Sequence, residues 1–232
     1  IEYLAGQTAY TDILADNGYN CGISGKWHLG MSTTPQKNFS HWYVHKKGGG
    51  PYYQAPMIKD GEVVEEEGYI TDVITDDALN FIIDSQGKKE PFYLSVHYTA
   101  PHSPWGPDQH PDQYLDMYRD CQFESIPDEP LHPWQTNGPI FSIDFDRQEI
   151  LQGYAAAVTV MDHNVGRIME KLEELGISEK TMIFFTSDNG MNMGHHGIIG
   201  KGNGTFPQNM YDTSVKIPTI ISTPEIEPGT VN

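Results

Sequence analysis

The chain contains 232 residues, of which 38% are hydrophobic and 11% aromatic, and this composition indicates a globular protein rather than a disordered one. Its 32 acidic and 14 basic side chains give a formal net charge of −18 at pH 7. Because affinity for phosphates needs clustered cations, this balance excludes a general binder of nucleic acid or of an anionic membrane. The apolar runs are too short for a membrane-spanning helix. Cys21 and Cys121 are too few for a disulfide scaffold, although they could form one bridge.

The first half of the chain is predicted to contain two helices and two strands. They are a helix at 8–17, a strand at 19–24, a helix that begins at Ile70 with apolar residues at helical spacing, and a strand at 91–98. Residues 31–68 are predicted to form a long loop with a possible hairpin around Lys59–Glu62. Such a loop is either functional or a variable surface insertion.

The second half of the chain continues the alternation of helices and strands. Residues 99–146 are rich in proline and aspartate, with a short helix predicted at 112–118. The clearest helix covers about 147–175, and its predicted buried stripe includes Tyr154 and Val158. Strands are predicted at 181–187 and 217–222. This alternation predicts an α/β fold with a mostly parallel sheet covered by helices on both faces.

Polar and charged side chains follow three of the predicted strands. They are Lys26 and His28 after the first strand, His102 after the strand at 91–98, and Asp188, Asn189, His195, His196 and Lys201 after the strand at 181–187. In open α/β sheets, ligands bind outside the carboxyl ends of the strands. We therefore expect these side chains to converge on one site.

Each of these groups has a functional interpretation and a plainer one. Asp188 and Asn189 offer hard oxygen ligands for Ca²⁺ or Mg²⁺, but Asp-Asn-Gly is also ordinary turn chemistry. Lys26 and Lys201 are flanked by glycine and could bind an anion, or they could be solvated surface lysines. Histidine titrates near neutrality, so His28 and His102 could be a general acid and base, or structural histidines.

Four segments, in this order, resemble the formylglycine-dependent sulfatases of the alkaline phosphatase superfamily. They are Ser24–Gly30, Thr99–Pro104, Thr186–Gly190 and Gly200–Gly202, the last followed by Tyr211–Asp212 and Val215–Pro218. The resemblance extends from about Thr8 to Ser222. It implies the three-layer α/β fold of that family and hydrolysis of a sulfate ester to an alcohol and sulfate.

The resemblance also implies a role for each cation and oxygen ligand. Asp188 and Asn189 would be two of the ligands of a divalent metal, usually Ca²⁺ and sometimes Mg²⁺. Lys26 would contact the sulfate and the formylglycine hydroxyl, and Lys201 would bind a sulfate oxygen. Metal and lysines would together neutralise charge on the transferring group.

Three histidines complete the implied site. His102 would bind sulfate and protonate the leaving alcohol. His28 would take a proton from the formylglycine hydrate so that the covalent sulfate intermediate collapses. His196 matches a histidine of some members and would touch substrate.

Several parts of the family pattern are missing from this sequence. The family's nucleophile lies in a Cys/Ser-x-Pro-x-Arg motif, and neither Cys21 nor Cys121 is followed by one. The first pair of metal-binding aspartates is also absent. The resemblance thus implies that residues 1–232 are part of a catalytic domain, without its N-terminal nucleophile segment and C-terminal portion. Formylglycine is expected upstream of Ile1, and the isolated chain is predicted to be inactive and to bind metal weakly.

Two other functions stay open at this point. A relative in the same superfamily could hydrolyse phosphate or phosphonate esters, and a truncated relative could be a non-catalytic binding module. The expected substrate is a small-molecule or carbohydrate sulfate ester. The aromatic residues within 39–53 and 105–134 would either shape the substrate cleft or pack loops against the domain.

Overall fold

The computed structural model describes residues 4–137, 146–224 and 226–230, and it divides into two compact units. The first unit consists of the chain up to Tyr118 together with Gly153–Leu175. The second unit consists of Arg119–Gln152 and of the chain from Gly176 onward.

The first unit is built on a five-stranded sheet with the order β4-β3-β2-β1-β5. The strands are β1 (Asn20–Gly25), β2 (His41–His45), β3 (Ala55–Lys59), β4 (Glu62–Glu66) and β5 (Phe92–His97). β1 pairs in parallel with β2 and β5, whereas the β2–β3 and β3–β4 pairs are antiparallel. The predicted α/β class is confirmed, but this sheet is mixed rather than mostly parallel.

The antiparallel half of the sheet comes from the segment predicted as a loop. The hairpin around Lys59–Glu62 is confirmed, since Asp60 and Gly61 both have positive φ angles, of 51° and 81°, as a two-residue Asp-Gly hairpin turn requires. β2 was not predicted. The Trp42-Tyr43-Val44 segment has high β-propensity. The lysines and glycines at 46–50 have low β-propensity, so the whole region was predicted as a loop.

Both faces of this sheet are buried. Alternate residues of β2 and β3 point to opposite faces, so that Tyr43 and Met57 join one hydrophobic cluster, and Trp42 and Ile58 join another. The first cluster packs against helices α2 (Ile70–Ser85) and α4 (Arg147–Glu174), and the second packs against α1 (Tyr10–Asp16). The predicted coverage of both faces by helices is therefore confirmed for this sheet.

The helix at 147–175 forms as predicted, but most of its predicted buried stripe is only half-buried, and Leu172 is the one member that is fully buried. Its fully buried side chains include Ala157 and Val160, whereas Tyr154 and Val158 are half-buried. A Cβ added at Gly153 would lie 2.0 Å from the carbonyl oxygen of Trp105. Small residues thus allow this helix to approach its neighbours closely, and a pattern of large apolar residues does not reveal that face.

Short strands and turns form the second unit. β6 (Ile183–Thr186) pairs antiparallel with β9 (Thr219–Ser222), which confirms both predicted strands, and β7 (Asn192–Met193) pairs with β8 (Ile199–Gly200). Helix α5 (Asp212–Val215) of this unit precedes β9. In the first unit, the short helix α3 (Asp112–Asp116) agrees with the predicted helix at 112–118. Among the described residues, no helix is long and apolar enough to cross a membrane.

Candidate functional site

The carboxyl ends of three parallel strands meet at one edge of the first unit's sheet. Gly25, the last residue of β1, lies opposite His97 of β5 and Val44 of β2. The residues that follow are Lys26, the Thr99–Pro104 loop and His45, and they therefore share that edge. The expected convergence of Lys26 and the His102 loop is thus found at the level of the strands.

The turn into Lys26 depends on glycine. Gly25 has a φ angle of 114°, and a Cβ there would lie 2.1 Å from the carbonyl oxygen of His97. The Lys26 backbone N–H donates to that same oxygen at 2.7 Å, and His97 Nδ1 donates to the Lys26 carbonyl oxygen at 3.0 Å. These two hydrogen bonds fix the backbone of Lys26. The residue is half-buried, so part of its side chain stays accessible.

His28 packs on the glycine-rich turn that follows β2. A Cβ added at Gly48 would lie 2.0 Å from Cδ2 of the exposed His28 imidazole. Any larger residue at position 48 would displace the ring. Gly48, the first of three consecutive glycines that fit no nucleotide-binding motif, thus makes room for a predicted site residue.

The ring of His102 is oriented by the backbone beside it. Its Nδ1 donates to the Ser103 carbonyl oxygen at 2.9 Å, so the neutral ring carries its proton on Nδ1 and Nε2 is the atom that gains or loses a proton. The backbone N–H of His102 donates to the Thr99 carbonyl oxygen at 2.9 Å. The hydroxyl of the fully buried Tyr52 donates to the His102 carbonyl oxygen at 2.7 Å.

Like Tyr52, His45 is a fully buried residue that the sequence pattern did not single out. Its Nε2 forms a hydrogen bond with the Thr99 hydroxyl at 3.0 Å, and its Nδ1 has no partner among the described residues. Burial, followed by the charge of Lys26, lowers the pKa of His45 to about 4. The imidazole is therefore neutral at pH 7 and adds no second positive charge beside Lys26.

His110 forms part of a buried aromatic cluster in the same unit. Its Nδ1 forms a hydrogen bond with the Tyr69 hydroxyl at 2.9 Å, and its ring meets that of Tyr52 edge-on with centroids 4.4 Å apart. Burial lowers the pKa of His110 to about 4. Tyr52 therefore contacts both this cluster and the His102 loop.

Acidification is expected to destabilise the protein through these two histidines. The pKa of each is near 4 in the folded state and about 6.5 in an unfolded chain, so the unfolded state binds more protons between these values and stability falls as the pH falls. The loss is at most about 3 kcal/mol per histidine. The free energy of unfolding in urea, measured at pH 7 and pH 4.5, should depend less on pH in His45→Gln and His110→Gln.

The control for this measurement is His163→Gln, since His163 is an exposed histidine on α4. Carboxylates also titrate near pH 4.5, but they do so equally in all the variants. A pH dependence in His45→Gln and His110→Gln as steep as in His163→Gln would contradict the assignment.

In the second unit, two predicted site residues touch. Lys201 Nζ donates to Asn189 Oδ1 at 3.1 Å, although the residues are twelve positions apart. Asn189 Nδ2 donates to the Gly190 carbonyl oxygen at 2.8 Å, and the preceding Asp188 is exposed. A Cβ at Gly190 would lie 2.3 Å from the carbonyl oxygen of Thr213, so glycine allows this turn to pack on α5.

His196, predicted to touch substrate, is exposed and has a left-handed backbone with a φ angle of 59°. Its ring stacks on that of Tyr211 with centroids 4.1 Å apart. The neighbouring His195 is half-buried, and its Nδ1 has no partner among the described residues.

Comparison with known proteins identifies the family. The family model for sulfatases matches residues 5–232. This chain belongs to the sulfatase family. The sequence resemblance to sulfatases and the α/β fold that it implied are therefore confirmed.

Named sulfatases are among the similar proteins. The chain is 27% identical to the N-acetylglucosamine-6-O-sulfatase of Bacteroides thetaiotaomicron, over 94% of this chain and 49% of that protein. It is 31% identical to an ulvan-active sulfatase of Formosa agariphila, over 93% of this chain and 41% of that protein. A solved structure in complex with its substrate D-glucosamine-2-N,6-O-disulfate superposes with a TM-score of 0.79, at 25% identity, over 94% of this chain and 56% of that one. The chain thus spans about half the length of these relatives.

The two cysteines of this sulfatase chain are free thiols. Cys21 lies inside β1, and burial raises the pKa of its thiol. Cys121 is half-buried. Cys21 is 1% exposed and its thiol pKa is raised, so it lacks the accessible, low-pKa environment of a reactive cysteine.

The residues of this sulfatase chain fit part of a metal site. Asp188 and Asn189 carry a carboxylate and an amide oxygen at adjacent positions of the chain, and both are ligands that Ca²⁺ or Mg²⁺ prefers. Within the described ranges, no group of three or more His, Cys, Asp or Glu side chains could hold a metal. The two predicted ligands would thus supply two oxygen donors to a cation.

Proposed function

We propose that the full-length protein that contains this chain hydrolyses the sulfate ester of a carbohydrate to an alcohol and sulfate. The observation that carries the proposal is the shared strand edge of the first unit, where Lys26 and the oriented His102 follow adjacent parallel strands. A cation and a proton donor at one strand edge are the combination that transfer of an anionic group to water requires.

Each predicted site residue then has a role in the reaction. Lys26 and Lys201 neutralise charge on the sulfate, and Asp188 and Asn189 bind the divalent cation. His102 Nε2 protonates the leaving alcohol, because its Nδ1 is already engaged by the Ser103 carbonyl oxygen. His28 accepts a proton, and His196 contacts the substrate. Formylglycine, expected upstream of Ile1, would supply the nucleophile, and Ca²⁺ or Mg²⁺ would stabilise negative charge beside it.

The carbohydrate part of the proposal is supported by the relatives. One acts on N-acetylglucosamine 6-sulfate by its name, one on ulvan, and one structure contains a disulfated glucosamine. These names describe those proteins, and together they favour a sulfated sugar as the substrate class here.

The reaction class is tested with full-length protein matured to contain formylglycine. We expect kcat/KM for 4-nitrophenyl sulfate to exceed that for 4-nitrophenyl phosphate and phenyl phosphonate by about 100-fold or more, a difference of about 2.7 kcal/mol. The reverse order would instead indicate a phosphate or phosphonate ester hydrolase. Binding of a sulfated sugar without turnover of any ester would indicate a non-catalytic module.

A further inference from the structure

A concave aromatic surface lies in the second unit. It borders an open cavity of about 330 Å³, with His132 and Trp134 on one side. The other side is formed by Thr205, Pro207, Gln208, Asn209, Met210 and Tyr211. We call this surface the aromatic pocket. Its volume is at the lower end of the range of small-molecule sites, about 300–1,000 Å³.

The aromatic pocket is preformed by hydrogen bonds around it. Asn209 Nδ2 donates to the carbonyl oxygens of Lys201 and Gly202, at 3.3 Å each, and Asn209 Oδ1 accepts from the Ser214 hydroxyl at 2.6 Å. On the other side, the backbone N–H of Trp134 donates to His132 Nδ1 at 3.1 Å. A ligand would meet a wall that is already ordered, which lowers the entropy cost of binding.

Large apolar side chains of the aromatic pocket are exposed. Trp134 is 59% exposed and Met210 is 79% exposed, whereas the other three tryptophans of the chain are at most 7% exposed. The Tyr211 ring is held in place by His196, stacked on it at 4.1 Å. An exposed tryptophan beside an exposed methionine and a tyrosine marks a binding surface rather than a core.

The charge of the aromatic pocket restricts its ligand. In the lining that the described residues form, no Lys, Arg, Asp or Glu is present, although the chain carries 46 such side chains. The surface therefore suits an uncharged group with an apolar face and polar edges, and not a sulfate. A pyranose ring has such a face, and its hydroxyls can bond to the amide of Gln208 or to His132.

We propose that the aromatic pocket binds an uncharged portion of the sugar whose sulfate ester the enzyme hydrolyses, with a pyranose ring packed on Trp134. The proposal rests on the proposed sulfatase activity and adds a site to it. Because Asn209 bonds the pocket wall to the Lys201 backbone, the pocket and the sulfate-binding lysine belong to one ordered segment.

The test compares two substrates in the full-length protein. The ratio of kcat/KM for N-acetylglucosamine 6-sulfate to that for 4-nitrophenyl sulfate should fall about 10-fold in Trp134→Ala, mainly through KM, and less in Trp134→Tyr, which keeps an aromatic face. Phe206→Ala is the matched control, because Phe206 is 79% exposed and lies in the same segment but not in the lining. It should keep the wild-type ratio.

Two kinetic results would overturn the proposal: an unchanged ratio in Trp134→Ala, or an equal fall in Phe206→Ala. If the wild-type protein hydrolyses neither ester, the proposed function fails, and binding still decides the pocket. Saturation-transfer NMR with N-acetylglucosamine 6-sulfate should then show contact that Trp134→Ala loses and Phe206→Ala keeps. Contact that survives in Trp134→Ala, or no contact in the wild type, would overturn the pocket as well.

Discussion

Replacing His102 with alanine is expected to slow hydrolysis most for sulfate esters with poor leaving groups. A positioned general acid contributes about 100- to 10,000-fold when the departing oxygen needs a proton, and far less when it leaves as a stabilised phenolate. The full loss should therefore appear with alkyl and sugar sulfates, and only a small part of it with 4-nitrophenyl sulfate. A plot of log kcat/KM against the pKa of the leaving alcohol should become steeper in the variant.

The geometry around His102 offers a sharper substitution. The amide of His102→Asn can still donate to the Ser103 carbonyl oxygen, as Nδ1 does at 2.9 Å, but nothing stands at the position of Nε2. It should therefore lose activity with the same leaving-group dependence as alanine. His163→Ala, at an exposed helical position, should keep wild-type rates. A loss in His102→Ala of equal size for all leaving groups would reject the acid role.

The sequence was sufficient to place Lys26 and His102 after neighbouring strands, because these positions follow from chain topology. Lys26 and His102 could be assigned to one edge, since each follows an apolar run that reads as a buried strand. Asn189 and Lys201 were placed in one site by the family resemblance, and they do touch. For Lys26, His102 and Asn189 the informative signal was local, since each lies within four residues of the end of a predicted strand.

The residues that hold the site in place could not be found in this way. Tyr52 and His45 lie in or beside a strand that was predicted as a loop, and their partners are 50 and 54 positions away. A tyrosine that donates to a distant carbonyl oxygen leaves no pattern in the sequence. The run Trp42-Tyr43-Val44 was the one available signal, and recognising it as a strand would have placed His45 at the same edge as Lys26.

The strongly acidic balance of the chain is compatible with an anion site because charge acts locally. At an ionic strength of 0.1 M, charges more than about 10 Å apart are largely screened. Lys26 and Lys201 are both half-buried, and such cations are screened less than the exposed carboxylates that dominate the net charge. Net charge therefore argues against polyanion binding, but it gives no information on the proposed sulfate site.

Removing the charge of Lys201 is expected to lower kcat/KM for sulfate esters by about 100- to 1,000-fold, the range for loss of one preorganised group that stabilises charge in the transition state. Lys201→Met is the preferred change, since it keeps most of the side-chain length. Asn189 Oδ1 would lose a donor at 3.1 Å, but an amide oxygen has two lone pairs and can still bind a cation. Metal content should therefore fall much less than activity.

A matched lysine in the same unit separates this effect from a general change of charge. Lys216 pairs with Asp212 at 2.7 Å, and both side chains are 75% exposed, so Lys216→Met should change kcat/KM less than about 2-fold, as expected of a screened surface pair. Lys201→Arg should recover only part of the activity, because a planar guanidinium does not replace a compact ammonium. Equal rates in Lys201→Met and Lys216→Met would exclude Lys201 from the sulfate site. Loss of bound metal in step with activity would instead make Lys201 a support for Asn189, since the contact between them would then be what holds the cation.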